Sequence, residues 1–106
     1  MKPLNHYQNK TVLVLGLAKS GEAVSRLMRQ MGARVIVSDI QERSRHEEAI
    51  KRLEQAGIEV ISGEHPLELL DRTPSLIIKN PGIPYHISFV QEAIRRGIPI
   101  VTEVEI

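Results

Sequence analysis

Short, wholly apolar runs alternate with amphipathic ones along this chain. Thr11 to Leu15 (TVLVL) is β-branched and aliphatic, which predicts a buried strand. From Ser20 to Met31 the period changes: Val24, Leu27, Met28 and Met31 fall at i, i+3, i+4 and i+7, one face of a helix. Gly32 supplies its left-handed stop. Arg34 to Ser38 is a second strand, ending at Asp39. Ser44 and Glu47 have capping-box spacing ahead of a helix that carries Ile50 and Leu53 and closes at Gly57. Ile58 to Ser62 is a third strand, HPLELLD a short helix or turn, and Leu76 to Lys79 a fourth strand running into NPGIP. Ser88 and Gln91 suggest a second capping box, for a helix with Phe89, Val90, Ala93 and Ile94 on its face. Gly97 ends that helix, and Ile98 to Val101 is a fifth strand.

Strands that are apolar throughout, separated by helices, need cover on both faces. The expected fold is α/β: a Rossmann-like five-stranded parallel sheet, order 3-2-1-4-5, with helices on both faces. The 106 residues make one domain. Thr102 and Glu105 repeat the capping-box spacing at the end of the chain, so residues 1–106 are expected to be a single domain of a longer protein.

In a sheet of that order, ligands bind where the chain reverses direction between strands 1 and 4. The loop Gly16 to Gly21 and the loop Asn80 to Pro84 border this crevice. The first is not a good dinucleotide loop. Gly16 and Gly21 occupy the outer positions of G-x-G-x-x-G and Asp39 the acidic one, but Ala18 stands at the middle glycine, where the backbone must approach a pyrophosphate. Nor is it a triphosphate loop, because Glu22 and Ala23 follow Gly21 where Lys-Ser or Lys-Thr is needed. What remains is a helix N-terminus beside Lys19 and Ser20, a combination that takes a diphosphate. Ser20 reads equally as an N-cap, Lys19 as a solvated surface lysine and Asp39 as a turn residue. Lys79 stands at a strand end beside the crevice, placed to approach a phosphate or to pair with a carboxylate.

Composition narrows the function. A formal net charge of +1 and 3% aromatic residues give no basis for nucleic-acid binding. The chain has no cysteine, no apolar leader core and only strand-sized apolar runs, so a cytoplasmic protein with no membrane span is expected. His6, His46, His65 and His86 are scattered without metal-ligand spacing, so no metal is expected. The run from Glu42 to Lys51 reads as a solvated helix face.

The loops resemble those of the Mur ligases. VLVLGLAKSG with GARVIVSD is similar to that family's opening strand, loop, helix and second strand, and KNPGIP with IPIVTEVE to the end of its first domain. The resemblance runs from about Tyr7 to Ile106. It implies a three-domain cytoplasmic ligase of peptidoglycan synthesis, which adds D-glutamate to UDP-N-acetylmuramoyl-L-alanine with ATP and magnesium. This chain would be its UDP-binding domain, partnered by missing central and C-terminal domains. Gly16, Leu17, Ala18, Lys19, Ser20 and Gly21 are then expected at the diphosphate and uridine. Asp39, Ile40 and Gln41 are expected at the uracil, and Asn80, Pro81 and Gly82 on the opposite side. Gln41 stands where some members carry an arginine, and it stacks more weakly. No catalytic residue and no cofactor is expected within this chain, which alone should have no ligase activity. The rival readings are an NAD(P)-binding oxidoreductase domain and a nucleotide-sensing module without chemistry; cofactor binding and the coding sequence past Ile106 discriminate among them.

Overall fold

A computed structural model describes residues 6–17 and 20–103. Five strands form one parallel sheet: β1 (Thr11–Leu15), β2 (Arg34–Asp39), β3 (Glu59–Ser62), β4 (Leu76–Lys79) and β5 (Ile100–Thr102). Their order is β3-β2-β1-β4-β5, as the pattern predicts. Three α-helices connect them: α1 (Gly21–Gln30), α2 (Glu47–Gln55) and α3 (Ser88–Arg95). A 3-10 turn at Arg43–Arg45 precedes α2, and the HPLELLD stretch forms another at Leu67–Arg72.

The sheet is covered on both sides, because alternate side chains of each strand point to opposite faces. Val12 and Val14 join Met28 of α1 and Ile50 and Leu53 of α2 in one core. Leu13 and Leu15 join Leu69 and Leu70 of the second 3-10 turn, with Phe89, Val90 and Ala93 of α3, in the other. Among the described residues no helix is long and apolar enough to cross a membrane.

The elements depart from expectation in particular places. In α1, Leu27 is 45% exposed, while Ser25 is fully buried and satisfies its hydroxyl on the Gly21 carbonyl at 2.7 Å. In α3, Ile94 also faces solvent. Neither expected capping box forms. Ser44 lies inside the 3-10 turn, and Glu47 is held instead by Arg43, which also grips Glu54 with two N–H groups. Ser88 is already helical, with Ile87 at the cap, and the Gln91 side chain donates to the Tyr85 carbonyl. The fifth strand starts late because Pro99 has no N–H for the ladder and the Ile98 N–H closes α3 on Ala93. A helix opening at Glu103 falls largely in residues 104–106, outside the described residues.

Candidate functional site

The register aligns the strand ends. Leu15 pairs with Ser38 on one side and Lys79 on the other. The next residues, Gly16, Asp39 and Asn80, therefore emerge side by side at the carboxyl edge of the sheet. Backbone bonds fix them there: Gly16 N–H to the Ser38 carbonyl at 2.8 Å, and Asn80 N–H to the Leu15 carbonyl at 2.9 Å.

Asp39 is only 6% exposed, and each carboxylate oxygen accepts a backbone N–H at 2.8 Å. One donor is Leu17 in the glycine loop; the other is Gln41, two residues on. The carboxylate thus pins the first loop to the end of β2. Gly16 has φ +95°, and a Cβ there would lie 2.9 Å from Asn80 Cβ, so the backbone demands glycine on both counts. Asn80 builds the facing loop: its side-chain oxygen accepts the Gly82 N–H at 2.9 Å, and its carbonyl accepts the Ile83 N–H. Lys79, 3% exposed, pairs with no carboxylate among the described residues. Its Nζ donates to the carbonyls of Ile83, at 2.7 Å, and Asn80, and lies over the Tyr85 ring. It braces the NPGIP loop from below.

Between these loops lies a cleft of about 230 Å³ lined by Gly16, Asp39, Ile40, Gln41, Asn80 and Gly82, with His46, His65 and Ile83. The other expected residues sit around it. Leu17 offers its N–H to Asp39 while its side chain joins the core. Gly21 packs against Gly16, and Pro81 is exposed at the loop tip. Ser20 stands at the N-cap of α1 but caps no amide; its hydroxyl donates to Glu103 Oε1 at 2.7 Å. The expectations on Ala18 and Lys19 lie outside the described residues.

His46, His65 and Ile83 were not singled out by sequence. His46 Nε2 lies 3.0 Å from Gln41 Oε1 and 3.9 Å from Asp39. His65 Nδ1 meets the Ser38 hydroxyl at 2.7 Å. Burial holds the His65 pKa below the usual histidine range, against an upward pull from Asp39. The signal available was position: His65 lies just past β3, on the carboxyl edge that binds ligands in such sheets.

Residues 10–102 match the family described as Mur ligase MurD-like, N-terminal domain. The chain is 53% identical over its whole length to a UDP-N-acetylmuramoylalanine--D-glutamate ligase of Geobacillus kaustophilus, of which it spans 23%. It is 52% identical over 99 residues to the enzyme of that name from Staphylococcus aureus, covering 93% of this chain and 22% of that one. In fold it is similar to a murein peptide ligase from Psychrobacter arcticus, with a TM-score of 0.76 at 18% identity, over 88% of this chain and 19% of the other. The chain thus spans about a quarter of the length of the curated relatives it matches. With the match extending across the whole sheet and both loops of the cleft, this chain belongs to the family of MurD-like N-terminal domains of Mur ligases.

Proposed function

We propose that this domain holds the UDP end of UDP-N-acetylmuramoyl-L-alanine for an ATP-dependent ligase that adds D-glutamate during peptidoglycan synthesis in the cytoplasm. The observation that carries the proposal is the cleft itself. It lies at the switch point between β1 and β4, walled by Gly16 on one side and Asn80 and Gly82 on the other, in a chain of this family. The Ser20 hydroxyl is turned to Glu103, so the first-turn amides of α1 have no side-chain cap and can receive a diphosphate. The glycine loop, residues 16–21, lies at the diphosphate with Asn80, Pro81 and Gly82 opposite. Asp39, Ile40 and Gln41 form the uracil end.

ATP and magnesium do not fit the described residues. Glu22, directly after Gly21, is a carboxylate gripped by both ends of the Arg52 guanidinium, which holds its pKa below the usual carboxylate range. A triphosphate needs a cation at that point. Nor does any group of three metal-ligating side chains occur among the described residues. The ATP site belongs to the central domain of the proposed enzyme, and D-glutamate mainly to its last. The purified chain, given UDP-N-acetylmuramoyl-L-alanine, D-glutamate, ATP and magnesium, is expected to release no phosphate above blank. ATP-dependent coupling by the chain alone would overturn that assignment.

The substrate reading is tested by titrating the 15N-labelled chain with UDP-N-acetylmuramoyl-L-alanine, UDP and NAD separately. The amides of Gly16, Asp39, Asn80 and Gly82 are expected to shift with both uridine ligands and not with NAD. A response to NAD alone, or to none of the three, would refute it.

A further inference from the structure

A hollow of about 640 Å³ opens where β1, β2 and β3 begin, at Thr11, Arg34 and Glu59. It lies at the amino edge of the sheet, opposite the edge that carries the cleft. Three arginines line it. Arg72 grips Glu59, the one acid of the lining, with two N–H groups. Arg29 and Arg34 meet no carboxylate among the described residues. That sets them apart on this surface, where Arg26, Arg43, Arg52, Arg72, Arg95 and Arg96 all pair with an acid. Among the described arginines only Arg45 shares their state, and it stands outside the hollow.

Local structure does not account for the two. Arg29 lies in the last turn of α1, where a cation can serve the final carbonyls. Those of Leu27, Met28 and Arg29 already accept the N–H groups of Met31, Ala33 and Gly32. The Arg29 guanidinium reaches instead across the end of α2, with Nε and Nη2 3.4 and 3.5 Å from where a Cβ on Gly57 would stand. There too the carbonyls are taken: Arg52, Leu53 and Glu54 accept from Ala56, Ile58 and Gly57. Arg34 spends one N–H on the Asn9 carbonyl and keeps the rest.

The β2 backbone adds a donor. The Arg34 N–H bonds to the Lys10 carbonyl on the β1 side, so Val35, the next residue, turns its N–H toward β3. β3 joins β2 only from Ile36, opposite Glu59, and no acceptor meets the Val35 N–H among the described residues. Val35 is buried and lines the hollow. A buried N–H without an acceptor is costly unless something else supplies one.

We propose that this hollow is a second ligand site, which takes the phosphate group of a small phosphorylated molecule. Its donors converge from separate elements: Arg29 from α1, Arg34 and the Val35 N–H from β2, and the Thr11 hydroxyl from β1. A tetrahedral group with oxygens in several directions answers them better than a planar carboxylate. The volume falls within the roughly 300–1,000 Å³ of small-molecule sites, which leaves room for an organic group beyond the phosphate. The inference is independent of the uridine reading.

The test is a titration of the 15N-labelled chain, at constant ionic strength, with inorganic phosphate, phenyl phosphate and acetate. The amides of Gly32, Val35 and Gly57 and the Nε signals of Arg29 and Arg34 are expected to shift with both phosphates, at lower concentrations of phenyl phosphate, and not with acetate. Arg29→Gln and Arg34→Gln should each weaken phenyl phosphate binding about tenfold, the worth of a hydrogen bond between charged partners. Arg45→Gln removes an equal charge outside the hollow and should leave binding unchanged. If Arg34→Gln, which also loses its bond to Asn9, fails to fold, Arg29→Gln decides. Silence at these signals, an equal response to acetate, or an equal loss in Arg45→Gln would each overturn the proposal. Phosphate shifts confined to Gly16 and Gly82 would place the anion in the cleft and overturn it too, and phenyl phosphate no tighter than inorganic phosphate would refute the small organic ligand.

Discussion

Gly21→Ala is expected to lower the melting temperature of the chain by about 10 °C or more. Gly21 opens α1, and an added Cβ would lie 2.3 Å from the Gly16 carbonyl oxygen. That atom is backbone, so no rotamer change relieves the clash. Either α1 lifts away from the sheet, pulling Met28 from its core beside Val12 and Val14, or the Gly16 carbonyl turns and the loop over the cleft deforms. Overpacking of this kind costs about 1–3 kcal/mol, and a rigid obstacle places it at the upper end. The opposing gain, alanine's better helix propensity, is at most about 1 kcal/mol. The net, at several degrees per kcal/mol for a domain this small, gives the expected drop. A circular dichroism melt checks it. A variant as stable as the parent would mean that the Gly16 carbonyl is free to move and that the seam is looser than its geometry indicates.

Asp39→Ala is expected to weaken UDP binding more than tenfold and to destabilise the fold by about 3–5 kcal/mol. Each hydrogen bond to an ionised carboxylate is worth about 1.5–3 kcal/mol, and Asp39 accepts two. The Leu17 N–H, in a buried setting, would be left without its acceptor. Such a loss is a large part of the roughly 5–15 kcal/mol that holds a small domain together. Asp39→Asn should fall between, because an amide oxygen can accept one of the two N–H groups while its NH₂ faces the other donor. Urea unfolding, with a UDP titration of whatever remains folded, separates the two effects. If the alanine variant matched the parent in both, the carboxylate would not be what holds the loop to β2.

Much of the fold was legible because its cause is local. The β-branched and aliphatic runs placed β1 and β4 with their true limits, and glycines marked the helix ends. The buried face of α1 was not legible. Periodicity promotes Leu27, yet Gly21 brings the helix so near the sheet that Ser25 takes the buried position and Leu27 turns to water. The failed capping boxes have a similar origin: Glu47 and Gln91 found partners in Arg43 and the Tyr85 carbonyl, contacts that three-residue spacing cannot foresee. In the cleft, the glycine and asparagine loops showed themselves as departures from ordinary composition. His46 and His65 did not, because spacing along the chain says nothing of residues that converge from the ends of separate elements.

The place of β1 in the sheet has a consequence for how the chain is made. This strand is complete by Leu15, and β2 covers one of its edges soon after. Its other edge waits for Leu76, beyond the middle of the chain. A polypeptide emerging from the ribosome therefore carries an open row of backbone donors and acceptors while residues 16–75 are made, flanked by Leu13 and Leu15, whose cover from α3 arrives later still. The strand that anchors the binding loop is the first made and among the last protected, so slow or interrupted translation before β4 exposes this segment to pairing with another copy of itself.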